Sequence, residues 1–259
     1  MMRDQINAFL SNDSSFGRLM TRIGIMIGAN LMFVFFSLPL VTLGAAWAAL
    51  DYVMLKTLRG DGEVNPFTQF WIGFRDNFKQ ATLVWLAVLL IAALAVVDVR
   101  FLMHMGGSMV SFRYAIYAVL LLLLTELIYL FPLMAAFSNS LPILLRGAFA
   151  FALRKPFKLF VLLFFHIFPL ALTYMDAQNM PLYAFLWAFI GFGALAMLTS
   201  HLLLPEFRPL LPLVDEDGCF ILDEDGRRLM PGEGNLPASG LMHEKSEAEI
   251  LKEMEKLGM

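Results

Sequence analysis

The sequence predicts an all-α membrane protein that crosses a lipid bilayer about five times. Of its 259 residues, 59% are hydrophobic and 16% are charged, and the mean hydropathy is +0.70. A soluble domain has about 25% charged residues, so this much apolar surface needs the apolar solvent that a bilayer supplies. The apolar residues come in runs of roughly 20, which is the length of helix that crosses the hydrocarbon core. Lys and Arg cluster between these runs.

Five runs are long enough to span the bilayer, and two shorter segments have a helical pattern but carry charge. The five predicted spans are residues 19–43, 81–97, 112–131, 157–174 and 182–204. Segment 44–58 follows a proline and ends in basic residues, so we expect it to bend at or near the interface, or to re-enter shallowly. Segment 67–79 has aromatic residues three or four apart with cations between them, which is typical of an interfacial helix. The arrangement of 44–58 and 133–153 decides between five crossings and six or seven.

The chain divides into three parts by composition. Residues 1–18 are a mixed N-terminal segment, residues 19–207 form the helical membrane domain, and residues 208–259 form a polar tail. The tail contains the tetrapeptide Asp-Glu-Asp-Gly twice, and the first copy predicts the turn of a short hairpin. Residues 246–257 begin with a Ser-x-x-Glu capping box and carry one apolar stripe, which predicts a terminal helix.

Two halves of the membrane domain follow a similar plan. In each half a span ends near a proline (Pro39, Pro132), continues as a partly apolar helix into basic residues, and re-enters the membrane after an aromatic–Lys pair. One interpretation is an internal two-fold repeat, which membrane proteins often contain. The alternative is that two hairpins facing one compartment have similar sequences.

The distribution of Lys and Arg predicts the orientation, because short cytoplasmic loops are enriched in these residues. With five crossings, the richer side carries these inner basic loop residues: Lys56, Arg59, Arg75, Lys79, Arg154, Lys155 and Lys158. We therefore expect a multi-pass protein of the cell membrane with a cytoplasmic C-terminus and an external N-terminus. Arg18 and Arg22 oppose this orientation.

Three polar residues within predicted spans are candidates for function. Glu126 lies in the apolar run LLLLTELIYLF, and an ionisable group in hydrocarbon is a functional candidate because burying its charge is costly. Its alternative role is to reach the nearby interface. His166 is a candidate partner of Glu126 or a packing histidine, and Asn30 is expected to hydrogen-bond to a neighbouring helix. Asp51 and Asp98 lie near span ends and are expected to be hydrated.

Sequence motifs for enzymatic chemistry are missing. There is no phosphate-binding Gly-rich loop, no His-Glu-x-x-His pair and no G-x-S-x-G elbow, and the chain has one cysteine. The sequence therefore predicts a protein that is not an enzyme, with no catalytic residues, no metal site and no cofactor. The basic and aromatic segment 67–79 is tied to the membrane on both sides, which argues against nucleic acid as a partner.

Two stretches resemble a known family. They read SLPLVTLGAAWAALDYVMLKTLRG and FRDNFKQATLVWL, with a weaker later match in FPLMAAF and LLRGAFAFALRKPFKLF. They resemble the YesL family of small bacterial integral membrane proteins, classed as a domain of unknown function, over residues 16–207. The resemblance implies a bacterial cell-membrane location. It also implies an association with ATP-driven carbohydrate uptake, because genes of the family often lie beside genes for such transporters.

Three functional hypotheses follow. The first is a non-enzymatic accessory to carbohydrate transport, with a transporter permease and the lipid bilayer as partners, docking through segments 44–58 and 67–79. The alternative is a small autonomous permease or channel in which Glu126, His166 and Asn30 converge on a water-accessible cavity. The second alternative is a membrane scaffold or sensor whose output is the helix at 246–257. Substrate and oligomeric state are left open.

Overall fold

The structure is a computed structural model that describes residues 15–60 and 64–211, and these residues form helices and no strands. The helices are α1 (Ser15–Ser37), α2 (Leu43–Arg59), α3 (Pro66–Met105), α4 (Arg113–Ala136), α5 (Leu141–Arg154), α6 (Pro156–Met175), α7 (Met180–Leu186) and α8 (Phe192–Phe207). A π-helical segment, Trp187–Gly191, joins α7 to α8. Five stretches are long and apolar enough to span a membrane: Phe16–Ser37, Pro66–Met105, Val110–Ala136, Pro156–Met175 and Ala177–Leu210. The predicted all-α fold with five spans and two additional helices is therefore confirmed. The predicted hairpin and helix of the tail lie outside the described residues.

The chain reverses direction at Pro39. Helix α1 ends at Ser37, and a short 3₁₀ turn, Leu40–Thr42, leads into α2. The Thr42 hydroxyl donates to the carbonyl oxygens of Phe36 (2.6 Å) and Pro39 (2.8 Å), which satisfies backbone acceptors left free at the end of α1. As a result α2 runs back alongside α1.

Helix α2 is the centre of the core. Its small residues, Ala45, Ala46, Ala48 and Ala49, are completely buried, and it packs against α1, α3, α4 and α8. Small side chains let helix backbones approach closely, which drives helix association in membranes. The sequence placed this segment at or near the interface because it ends in Lys56 and Arg59. The structure instead encloses it in protein.

Helix α3 has 40 residues, which makes it about 60 Å long at 1.5 Å per residue. It begins at a cap in which Oδ1 of Asn65 accepts from the backbone N–H groups of Phe67 (3.0 Å) and Thr68 (3.3 Å). The predicted interfacial helix 67–79 and the predicted span 81–97 are thus one helix. No proline follows Pro66 within it, so the backbone ladder continues to Met105.

Neighbouring helices are mostly antiparallel. Along α3 and α4, Met103 lies beside Arg113 at one end, and Gln80 donates to the carbonyl of Asn139 near the other. Beyond Asn139 the short helix α5 is partly exposed, with apolar side chains on its surface: Ile143, Leu145, Phe149 and Leu153. The series α4–α5–α6 therefore repeats the order long, short, long of α1–α2–α3. The packing differs, because α2 is central and α5 is peripheral.

The first and last described helices are also antiparallel. Gly193 of α8 lies against Met26 of α1, and the amide of Asn30, one turn further along α1, reaches back to the carbonyl of Ala188. Consequently α1 begins at the end of the bundle where α8 finishes, whereas the sequence placed the two termini on opposite sides. The difference arises because α2 returns the chain along the bundle. Arg18 and Arg22 then join the other cations at this end, which we call the basic end.

Candidate functional site

A cavity of about 600 Å³ lies between α2, α3, α4, α6, the π-helical segment and the start of α8. Its walls are almost entirely apolar and aromatic. They comprise Leu43, Trp47, Trp85, Leu124, Leu127, Ile128, Phe131, His166, Ile167, Leu170, Ala171, Tyr174, Trp187, Phe192 and Leu195. Ligand sites in proteins are typically cavities of roughly 300–1,000 Å³ with apolar walls and a few polar groups. The size and lining therefore make this cavity the leading candidate site.

Three of the four tryptophans of the chain line the cavity. The indole N–H of Trp85 donates to the carbonyl of Leu40 at 2.8 Å, and that of Trp187 donates to the hydroxyl of Thr173 at 3.0 Å. Trp47 packs edge-on against Phe33, with ring centroids 5.3 Å apart. Because protein groups satisfy the two N–H donors, these rings present mainly their apolar surface to the cavity.

His166 is a polar residue in the cavity wall, and its two ring nitrogens have different roles. Its side chain is nearly buried, with 8% of the residue exposed, and Nδ1 lies 2.8 Å from the carbonyl oxygen of Leu162 one turn back on α6. A carbonyl can only accept, so Nδ1 carries the proton and Nε2 of the neutral ring is an acceptor. Among the residues that the structure describes, Nε2 has no hydrogen-bond partner.

Asn30 forms hydrogen bonds between two helical segments, as the sequence predicted. Its amide nitrogen donates to the carbonyls of Trp187 (3.2 Å) and Ala188 (2.6 Å), and its oxygen accepts from the N–H of Gly193 (2.7 Å). A π-helical segment disturbs the regular i→i−4 ladder, which leaves backbone groups in need of partners. Asn30 satisfies three of these groups and thereby ties α1 to the π-helical segment.

Glu126 is half-buried on α4 and does not line the cavity. The α4 residues that do so, Leu124, Leu127, Ile128 and Phe131, follow one helical face that excludes position 126. No hydrogen bond joins Glu126 to His166 among the described residues. The structure therefore brings His166 to the cavity but does not bring Glu126 or Asn30 there with it.

The prediction that Asp51 is hydrated is wrong. This residue lies in the middle of α2, is fully buried rather than hydrated, and neither carboxyl oxygen has a partner in the described part of the chain. Three further buried side chains, on helices that pack against α2, also have unpartnered oxygens: Tyr129, Thr199 and Ser200. The available signal was the position of Asp51 inside a run of small and apolar residues, GAAWAALDYVML, which is typical of a buried helix. Asp98 is exposed, as expected.

Replacing Asp51 is expected to stabilise the protein. Burying a charged carboxylate without a partner costs more than burying a neutral amide of the same shape, so Asp51→Asn at neutral pH should raise the free energy of unfolding by about 1–3 kcal/mol. The measurement is the thermal unfolding midpoint in detergent. Asp98→Asn, on the exposed surface of α3, is the matched control and should change little. A lower midpoint for Asp51→Asn alone would mean that the carboxylate is held by a favourable interaction.

The inner basic residues fall into two groups. Lys158 donates to Glu206 (2.7 Å) and to the carbonyl of Leu202, and Lys155 lies 3.2 Å from Glu206, so both bind α6 to α8. Lys56 donates to Gln69 (3.3 Å) and so links α2 to α3. Two others make local contacts: Arg154 lies over the ring of Phe151, and Arg75 pairs with Asp76 on the surface. Three predicted loop cations therefore have a structural role in the bundle.

At the opposite end of the bundle, Asp176 connects α6 to the next turn. Its carboxylate accepts hydrogen bonds from the side chains of Asn179 and Tyr183, both 2.9 Å away. These bonds lower the pKa of Asp176 below its ordinary value, because they favour the charged form. The carboxylate thus stays ionised and links the end of α6 to Asn179 and Tyr183.

In the part of the chain that the structure describes, no group of His, Cys, Asp or Glu side chains is arranged to hold a metal ion. The fold and the cavity define a multi-pass helical membrane protein with a hydrophobic cavity between its helices. Residues 26–99 match the model of a family described as a protein of unknown function, DUF624. That stretch comprises most of α1, all of α2 and α3 up to residue 99, and so includes the central helix. No curated protein matches the chain, and no solved structure matches it.

Proposed function

We propose that this protein is a non-enzymatic accessory subunit of a membrane complex and, following its resemblance to the YesL family, of an ATP-driven carbohydrate transporter. The observation that carries the proposal is the separation of the polar side chains that a transport pathway would need. Asn30 is bonded within a helix contact, Glu126 lies off the cavity, and His166 reaches it. A sugar in this apolar cavity would leave most of its hydroxyls unpaired, which is costly. The arrangement therefore favours an accessory role over autonomous sugar transport.

An exposed stripe at the start of α3 supports contact with a partner. Phe67, Trp71, Arg75 and Phe78 lie on successive turns and are all exposed, and we call them the docking face. Aromatic residues and Arg are the side chains that protein interfaces favour and that most often contribute large binding energies. Segment 44–58, the other predicted docking segment, is enclosed in the core and cannot serve. The docking face is therefore the surface through which we expect the partner to bind.

The charge distribution supports a cytoplasmic position for the basic end in the cell membrane. The other end of the bundle has Arg100 and Arg113 as its described cations, and the positive-inside rule assigns the richer side to the cytoplasm. A membrane-impermeant maleimide should then label Cys219, the single cysteine, after permeabilisation of cells and not before. Ser111→Cys, made in a Cys219→Ser background, places a thiol at the opposite end and should label in intact cells. The reverse pattern would contradict the orientation.

A pull-down tests the accessory role. The tagged protein, extracted from its native membrane in mild detergent, should recover a carbohydrate transporter permease in near-stoichiometric amount by mass spectrometry. Phe67→Ala combined with Phe78→Ala should reduce that recovery at least tenfold, because interface aromatics often contribute about 2 kcal/mol or more each.

The matched control is Phe101→Ala combined with Phe112→Ala, two exposed aromatics at the opposite end of the bundle. It should leave recovery unchanged. Recovery of the protein without partners from its native membrane would contradict the proposal, and solute flux in liposomes that contain this protein alone would favour the permease instead.

A further inference from the structure

The cavity is elongated along the helix axes. Its α6 wall runs from His166 to Tyr174, eight residue steps that span about 12 Å. Helix α6 is held to the α7–α8 region near both of its ends, through Lys158 and through Thr173. Between these ties only Leu162 and His166 are buried. Few side chains in the middle of α6 are therefore closely packed against neighbouring helices.

The chemistry of the walls limits what can fill that space. An apolar cavity offers water too few hydrogen bonds, and an empty one forgoes dispersion contacts for every side chain that lines it. Apart from Leu43 and Trp47 of α2, the walls belong to helices long and apolar enough to span a membrane, so the surrounding solvent is hydrocarbon. A hydrocarbon chain satisfies the apolar walls. His166 is a residue with 8% of its surface exposed, and its Nε2 has no partner in the described residues, so the site also requires a hydrogen-bond donor.

We propose that the cavity binds the hydrocarbon chain of a hydroxyl-bearing lipid, with the hydroxyl donating to Nε2 of His166. The aromatic walls hold the chain, and the imidazole selects a chain that carries a donor over a plain hydrocarbon. Apart from His166 and Tyr174, the walls present almost no polar group to a ligand. A sugar or a nucleotide therefore does not fit the site. This binding activity is independent of the accessory role proposed above.

Tryptophan fluorescence reports occupancy, because three of the four tryptophans line the cavity. In a Trp71→Phe background every remaining indole is a cavity residue. The probe is 9,10-dibromooctadecan-1-ol, compared with 9,10-dibromooctadecane, each titrated as a mole fraction of detergent. We expect saturable quenching, with the alcohol binding about three- to tenfold more tightly, the ratio that one net hydrogen bond provides.

Two substitutions locate the site. Ala171→Phe fills the cavity and should weaken binding of both probes, whereas Ala93→Phe, on the exposed face of α3, should not. His166→Phe keeps an aromatic ring but removes the acceptor, so the alcohol should bind no better than the alkane. Linear quenching without saturation, unchanged by Ala171→Phe, would overturn the binding site. Equal affinity of alcohol and alkane for the Trp71→Phe protein would overturn the assignment of a hydroxyl-bearing ligand, and this comparison needs no cavity variant to fold.

Discussion

Gly44→Ala is expected to destabilise the protein strongly. An added Cβ at this position would lie 2.5 Å from Cβ of Trp85 and 2.7 Å from the carbonyl oxygen of Ala81, both on α3. The second of these atoms belongs to the backbone of a long helix and cannot move without displacing that helix. Overpacking of a tight contact typically costs about 1–3 kcal/mol, and here the cost should fall at or above the upper end. The measurement is the thermal unfolding midpoint of the purified protein in detergent.

The control for Gly44 is Gly24→Ala on α1. No heavy atom lies within 4 Å of the Cβ that would be added there, so only helix propensity changes. Alanine is favoured over glycine in a helix interior by about 1 kcal/mol, so Gly24→Ala should be neutral or slightly stabilising. If both variants unfold at the midpoint of the natural protein, the close contact of α2 with α3 is not what holds the core together. A change at Trp85 would also alter the cavity, so the tryptophan emission of Gly44→Ala should shift.

Asn30→Leu is the second substitution with a large expected effect. It removes three hydrogen bonds at once and leaves the carbonyls of Trp187 and Ala188 and the N–H of Gly193 without that partner. Hydrogen bonds between helices in membranes contribute about 0.6 kcal/mol on average, but a buried group left unpaired costs roughly 1–3 kcal/mol. We expect a loss of about 2–4 kcal/mol of stability on those magnitudes. The unfolding midpoint and the emission of Trp187 should both change.

Asn77→Leu is the matched control for Asn30. The Asn77 amide donates to the carbonyl of Gly73 within its own helix, at 2.9 Å, and joins no two helices. Its loss should cost little, because the carbonyl of Gly73 keeps its place in the helix ladder. Equal midpoints for the two leucine variants would show that the π-helical segment does not depend on α1.

The sequence predicted the elements of the membrane domain well, but it did not predict which helix lies at the centre of the core. Runs of about 20 apolar residues mark the spans whatever surrounds them, because a helix in hydrocarbon satisfies its own backbone. The position of α2 was harder to predict. Its basic C-terminal residues, Lys56 and Arg59, have the pattern of an interfacial segment, although its small residues and Leu50 are completely buried: Ala45, Ala46, Ala48, Ala49 and Leu50. Periodicity does not distinguish a helix that faces lipid from one that faces protein, since both are apolar.

For the candidate site, the sequence identified polar residues within the spans, but it did not show which of them lie at the cavity. His166 and Asn30 were found from the sequence because a polar residue in an apolar run is conspicuous, and Glu126 was selected on the same ground. Of these three, only His166 lines the cavity. Glu126 lies on another face of α4, and Asn30 is bonded where α1 runs antiparallel to α8. Asp51 was predicted to be hydrated because it lies near the end of a predicted span, whereas the packing of α2 against α3, α4 and α8 buries it.

The sequence by itself determined that this is an all-α membrane protein with five apolar spans, because composition and run length report the solvent that each segment prefers. Only the tertiary structure decided that α2 is the central helix, that the described chain begins and ends at one end of the bundle, and that three tryptophans and His166 line one cavity. These features depend on contacts between residues far apart in the chain. Such contacts depend on the shapes of the side chains and on how closely two helices approach, as at Gly44 and Gly193. The hydropathy of a segment does not predict them.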